Sequence, residues 1–285
     1  MAEGDRLPWQ EAPEPPVNNP EIAAPDVPAV AAFEFPPPAA QPVFPPWTIW
    51  DVAVIPGAAI ASILLCSLVA IAVAHWLPAY RGGSLYSLTQ EPLIVILSQI
   101  ASYPLVIALM VIIVRRRSGQ PFLKTIQWNW PGGSSLWFYL GGAVLAFTVE
   151  GLAHFLPIPK QLPMDKFFND VTSAYLMAFF GIAVAPILEE LFFRGMLYPT
   201  LRRAFGIVIG LALTAAAFAA IHGAQLAYAW APILSIFVVG VVLTAIRQRT
   251  GSVAASVLTH SGYNFTLFAL LWVGSEHFHH LEKLN

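Results

Sequence analysis

The sequence predicts an all-α, polytopic membrane protein with about seven transmembrane helices and a disordered N-terminal tail. Its 285 residues are 57% hydrophobic and only 11% charged, whereas soluble domains carry about a quarter charged residues. After Trp47 the chain contains apolar runs long enough to cross about 30 Å of hydrocarbon. These runs occupy 52–77, 92–114, 134–157, 173–200, 206–222, 228–246 and 252–274.

Short segments rich in glycine, proline and basic residues separate these runs and predict the helix ends. The run at 206–222 is short and rich in alanine, so its separation from 173–200 depends on the turn RRAFG. We therefore expect seven spans, with six or eight as the neighbouring alternatives.

Residues 1–46 differ in composition from the rest of the chain. They contain 13 of the 25 prolines, together with seven acidic residues and one basic residue. Proline removes backbone donors and fixes φ, so we expect an extended, disordered, acidic tail.

Basic residues in the loops predict the orientation, because cytoplasmic loops of membrane proteins are enriched in lysine and arginine. The side that carries the tail collects eight of them: Arg115, Arg116, Arg117, Lys124, Arg202, Arg203, Arg247 and Arg249. The opposite side collects four: Arg81, Lys160, Lys166 and Lys283. We therefore expect a multi-pass protein of the cell membrane with a cytoplasmic N-terminus.

The overall charge and the absence of several motifs argue against other classes of function. A net charge of -2 and an isoelectric point near 6.4 provide no basic surface for nucleic acid. Cys66 is the only cysteine, so no intrachain disulfide can form. HExxH, GxSxG and P-loop motifs are absent from the sequence, and with them the usual local signatures of zincins, serine hydrolases and nucleotide-driven enzymes.

Ionisable residues inside the predicted spans are the candidates for function, because each costs at least ~2.5–3.5 kcal/mol at the bilayer centre. The set comprises Glu150, His154, Glu189, Glu190, Arg194, His222 and His260, with the polar Asn264 beside them. Glu150 and His154 lie toward the opposite face of the membrane from the others, so we expect them to form a structural pair or an outer support.

The motif EELFFR, residues 189–194, combines two carboxylates and a guanidinium. Glu190 and Arg194 are four residues apart on one helix face and can form an ion pair. Glu189 points about 100° away and lacks an intrahelical cation, which leaves it free to act as a general base. The alternative is an ion pair that fixes the helix register without any chemistry.

Two further motifs place polar groups on other helices. In FAAIH, residues 218–222, His222 ends a run of small residues that lets helices approach closely. In HSGYN, residues 260–264, His260 and Asn264 share a face and could bind a metal, hold a water or donate to an oxyanion. Either motif alone is equally compatible with hydrogen bonds that only hold helices together.

The depth of these motifs favours a single site. Helical rise puts Glu189 and His222 roughly 21 and 24 Å from the turn RRAFG. His260 and Asn264 enter from the same side and lie roughly 12 and 18 Å deep. Three polar motifs at overlapping depth are what one buried site requires.

In this order, EExxxR, FxxxH and HxxxN resemble the CPBP family, which groups type II CAAX prenyl endopeptidases with bacteriocin-processing enzymes. The resemblance covers roughly residues 173–274 and departs at no defining position. It divides the chain into the tail (1–46), N-terminal transmembrane helices and loops (47–172), a catalytic helical core (173–274) and a C-terminal tail (275–285).

The resemblance implies a membrane-embedded endopeptidase that acts on a peptide or a prenylated protein in the lipid bilayer. Glu189 would activate a water with help from His222, and His260 with Asn264 would stabilise the oxyanion. Glu190 and Arg194 would form the supporting ion pair. We favour a mechanism without a cofactor, although Glu189, His222 and His260 could instead ligate zinc.

Two alternatives remain open at this point. Some members of the family are linked to bacteriocin immunity, so the chain could protect its host or scaffold a complex without proteolysis. A proton-coupled transporter would use the same buried acids and histidines as a relay, but the sequence lacks the internal repeat that many transporters show.

Overall fold

The computed structural model describes residues 45–80, 83–159 and 161–279. Nearly all of the predicted tail lies outside these ranges, as do Arg81, Lys160 and Lys283. Every regular element in the described ranges is helical, which confirms the all-α prediction. The α-helices are α1 (Ile49–Trp76), α2 (Leu85–Gln90), α3 (Pro92–Ser118), α4 (Phe122–Thr125), α5 (Ser135–Ala153), α6 (Val171–Phe179), α7 (Ala185–Phe192), α8 (Tyr198–Ile221), α9 (Trp230–Thr250) and α10 (Val253–Gly274).

Two π-helices interrupt the α-helices around the EELFFR motif. The first π-helix, Phe180–Val184, joins α6 to α7, and the second π-helix, Phe193–Leu197, joins α7 to α8. A π-helix uses i→i+5 hydrogen bonds and frequently marks a functional site.

Five helical segments in the described ranges are long and apolar enough to cross a membrane. They are Ile49–Trp76, Pro92–Ser118, Gly132–Ala153, Val171–Ile221 and Trp230–Thr250. A polytopic protein is therefore confirmed, whereas the predicted number of seven is not. The predicted spans 173–200 and 206–222 form one segment, and α10 is not among the five because its polar residues lower its mean hydropathy.

Gly206 bends the long segment where the sequence predicts a turn. Its φ of 81° lies in the left-handed region, which glycine adopts without steric cost. The chain therefore changes direction here without leaving helical structure on either side. Arg202, which was predicted to lie in a loop, instead lies within α8.

Asp170 starts the segment that contains the site. Its carboxylate accepts a hydrogen bond from the backbone N–H of Ser173, 2.9 Å away, and so caps α6. The hydrogen bonds from Ser173 hold the pKa of this carboxyl below its usual range.

Trp47 attaches the start of the described chain to the second π-helix. Its buried indole N–H donates to the carbonyl of Met196 at 3.3 Å and to Oγ1 of Thr200 at 2.9 Å. The residues just before α1 are thus held against the segment that carries Arg194.

Helices α5 and α10 cross at two glycines. A Cβ added to Gly262 would overlap the carbonyl oxygen of Tyr139, and one added to Gly142 would overlap that of Thr259. Because Gly262 lies between His260 and Asn264, this crossing sets the position of both side chains.

Replacing Gly262 by alanine is expected to destabilise the fold by about 1–3 kcal/mol, because backbone atoms cannot move aside as a side chain can. Thermal unfolding of the purified protein measures the effect. Gly141→Ala is the control, since a Cβ there meets nothing within 4 Å. Equal unfolding temperatures for the two variants would contradict the close crossing.

Candidate active site

Glu190 and Arg194 form an ion pair that is completely buried. Arg194 Nη1 donates to Glu190 Oε1 at 2.7 Å, and both side chains are 0% exposed. The four-residue spacing in EELFFR is therefore used as the sequence suggests, even though a π-helix begins at Phe193.

Helices α8 and α9 complete the surroundings of Arg194. Its Nε donates to Oγ1 of Thr244 at 3.2 Å, and its Nη2 donates to the carbonyl of Gly240 at 3.0 Å. The guanidinium also lies 4.6 Å from the centre of the Phe218 ring. Each of the three guanidinium nitrogens therefore has an acceptor, which offsets part of the cost of burying this charge in an apolar interior.

His260 extends this network from α10. Its Nδ1 lies 3.0 Å from Glu190 Oε1. The carboxylate oxygen that pairs with Arg194 only accepts, so Nδ1 carries the hydrogen of this bond. The ring is thereby oriented with Nε2 directed away from Glu190. Nε2 lies 3.8 Å from Oε2 of Glu189.

Glu189 is the accessible carboxylate of the motif. Its side chain is 17% exposed, compared with 0% for Glu190. Its distance of 3.8 Å from His260 is too long for a direct hydrogen bond and lets both groups contact a single water. The two adjacent glutamates therefore have different surroundings: Glu190 is buried in an ion pair, and Glu189 is partly exposed.

His222 lies at the end of α8 and is half-buried. Its Nδ1 is 2.9 Å from the carbonyl oxygen of Phe218, which only accepts, so Nδ1 carries the hydrogen and Nε2 is left available. The Phe218 ring contacts the rings of both His222 and His260, with centroid distances of 5.1 and 5.6 Å. Among the described contacts none joins His222 directly to Glu189.

Asn264 is bound to the backbone of the first π-helix. Its Nδ2 donates to the carbonyl of Gly181 at 2.7 Å. The sequence suggests that Pro186, which lacks an N–H, frees the carbonyl four residues earlier at Ile182. In the structure the π register moves the freed carbonyl to Gly181. One N–H of the Asn264 carboxamide is used here, and its second hydrogen is available.

Comparison with protein families identifies the segment that holds all three motifs. Residues 171–266, roughly a third of the chain, match the family described as "Type II CAAX prenyl endopeptidase Rce1-like". This segment is therefore similar to the CAAX protease family, in agreement with the resemblance of its three motifs. A search of curated proteins finds no match to it. A search of solved structures also finds none.

The family match supports a peptidase kind of function for this chain. Together with the five apolar helical segments, it identifies an integral membrane protein. The cell membrane as location and the cytoplasmic N-terminus stay predictions.

The candidate site residues include side chains of the kinds that zinc prefers as ligands. In the parts of the chain that the structure describes, no three His, Cys, Asp or Glu side chains are grouped closely enough to hold a metal ion. Glu189, His222 and His260 do not form such a group in the described structure, and no step of the proposed reaction is assigned to a metal. The choice between zinc and a mechanism without a cofactor stays a prediction.

Glu150 and His154 do not form the side-chain pair that their spacing suggests. Both are exposed on or next to α5, and the contact that links them in the described structure is the backbone hydrogen bond of the helix end, 3.1 Å long. In the described structure no side-chain hydrogen bond or ion pair joins either of them to Glu189, Glu190 or His260.

Several residues of the site were not predicted from the sequence. Gly240 and Thr244 bind Arg194, and their four-residue spacing on an apolar helix was a usable signal. Arg247, predicted as a loop residue, lies in α9 and is only 7% exposed. A basic residue next to the predicted helix end at 246 gave no indication that it would point inward.

Proposed function

We propose that this chain is an intramembrane endopeptidase in which Glu189 activates the attacking water. The observation that carries the proposal is the different environment of the two glutamates. Glu190 is fully occupied by Arg194 and His260, whereas Glu189 is partly exposed and lies 3.8 Å from His260 Nε2. A general base must reach a water, and Glu189 satisfies this requirement.

In the first step, the water oxygen attacks the carbonyl carbon of the scissile peptide bond and Glu189 takes the water's proton. His222 assists by accepting a hydrogen bond at Nε2, because its Nδ1–H is engaged with Phe218. In the second step the C–N bond breaks, and Glu189 returns the proton to the leaving amine. The products are a carboxylic acid, which keeps the second hydrogen of the water, and an amine.

The negative charge of the tetrahedral intermediate falls on the former carbonyl oxygen. His260 and the second N–H of Asn264 are the donors proposed for it. To donate from Nε2, His260 must carry a second proton, and Glu189 and Glu190 beside the ring would balance that charge. Phe218 contributes by fixing the two imidazole rings.

The substrate proposed is an extended peptide segment that reaches the site within the membrane, either prenylated or not. To test this, the purified full-length chain in liposomes is incubated with a farnesylated CAAX peptide and with the same peptide lacking the lipid. Mass spectrometry is expected to show hydrolysis at one bond. Failure to cleave either these peptides or a general peptide library would favour a non-proteolytic scaffold.

A further inference from the structure

Each π-helix of the site is followed by a proline at the position where the next backbone donor is needed. In the first π-helix the N–H of Ala185 binds the carbonyl of Phe180, so in this register the carbonyl of Gly181 would pair with residue 186. Residue 186 is proline and has no N–H. This explains why Gly181 is free to accept from Asn264.

The second π-helix repeats this arrangement. The N–H of Tyr198 binds the carbonyl of Phe193, so the carbonyl of Arg194 would pair with residue 199, which is again proline. A buried carbonyl without a donor is costly, so a donor from elsewhere is needed. Nε of Arg247 supplies it at 3.1 Å.

Arg247 is itself anchored at a second place. Its Nη2 donates to Oε1 of Gln127 at 2.6 Å and to the carbonyl of Ile126 at 3.4 Å, both in the linker between α4 and α5. Arginines near a helix end usually extend toward the membrane surface. Here the side chain turns inward and spans from the linker to the backbone of Arg194.

We infer that Arg247 is a positioning residue of the site, acting through the backbone carbonyl of Arg194. The second π-helix positions Arg194, and Arg194 binds Glu190. Glu190 in turn orients the ring of His260. A shift of this π-helix therefore changes the distance between His260 and Glu189. This inference rests on the proposed function for its effect on catalysis.

The test compares Arg247→Gln with two matched controls in the purified full-length chain. Arg249→Gln removes a charge from the same helix end at an exposed position. Gln127→Ala removes the side-chain contact of Arg247 with the linker but leaves the carbonyls of Ile126 and Arg194 bound. Arg247→Gln is expected to lower kcat by about 10- to 100-fold with KM within about twofold, because small misplacements of reacting groups have effects of this size.

A second substitution distinguishes a positioning role of Arg247 from a general contribution to the stability of the fold. Pro199→Ala restores a backbone N–H that can bind the freed carbonyl, so it is expected to recover most of the lost kcat in the Arg247→Gln background. Arg247→Lys, which keeps one charged donor, is expected to fall between the wild type and Arg247→Gln. Thermal unfolding shows whether each variant is folded.

Hydrogen exchange gives a readout that does not depend on activity. Peptides covering residues 193–198 are expected to exchange faster in Arg247→Gln than in both controls, and Pro199→Ala should restore their protection. If the unmodified chain cleaves no peptide, the proposed function fails while this comparison still decides the inference. Unchanged exchange in Arg247→Gln, absence of rescue, or an equal loss in Gln127→Ala would overturn it.

Discussion

Replacing Arg194 by methionine is expected to lower the free energy of unfolding by about 3–5 kcal/mol, because it leaves Glu190 as an uncompensated charge in a buried site. The side chain of Glu190 is 0% exposed, and its Oε2 already lacks a hydrogen-bond partner. Thermal unfolding and the yield of monodisperse protein measure the loss.

The exposed ion pair of Arg117 and Asp51 is the control for this substitution. The side chain of Arg117 is 51% exposed, so Arg117→Met is expected to cost at most about 1 kcal/mol. The double variant Glu190→Leu/Arg194→Met removes both charges and should regain much of the stability. It is expected to remain inactive, because His260 loses the group that orients it. Equal effects of Arg194→Met and Arg117→Met would contradict a structural role for the buried pair.

Replacing Glu189 by glutamine is expected to reduce kcat by about 10²- to 10⁴-fold, the range typical of a lost general base. Glutamine keeps the size of the side chain but cannot take a proton from water. Because Glu189 is partly exposed and forms no ion pair with Arg194 in the described structure, the unfolding temperature should stay unchanged. Steady-state cleavage of a peptide by purified protein measures kcat.

Glu150→Gln is the matched control for Glu189. Glu150 is also a glutamate in an apolar helix, but it is exposed on α5, and in the described structure no hydrogen bond or ion pair joins its side chain to Glu189 or His260. Its replacement is expected to leave kcat within about twofold of the wild type, in the range of substitutions away from the reacting groups. A Glu189→Gln variant that cleaves as fast as Glu150→Gln would exclude Glu189 as the base.

The sequence predicted the helical class and the convergence of the three motifs because both depend on the cost of polarity in a membrane. Glu190, Arg194 and His260 are too expensive to leave unpaired in lipid, so their presence at similar depth indicated contact. The pairing of Glu190 with Arg194 followed from helical spacing alone.

Other features depend on details that hydrophobic patterns do not contain. The hydrophobic pattern of an apolar run does not distinguish the i→i+4 hydrogen bonds of an α-helix from the i→i+5 hydrogen bonds of a short π-helix. The two π-helices were therefore not predicted. The partners of Asn264 and Arg247 are backbone carbonyls freed by those π-helices, and they could not be predicted either. Pro186 and Pro199 are the local signals from which these registers could be suspected.

The most direct test of the central claim is a comparison of protein termini in cells that produce the wild type, Glu189→Gln or Glu150→Gln at equal levels. Mass spectrometry of the membrane fraction is expected to find new termini with the wild type and Glu150→Gln that are missing with Glu189→Gln. Identical termini in all three samples would contradict proteolysis by Glu189 and would indicate a non-proteolytic role for this protein.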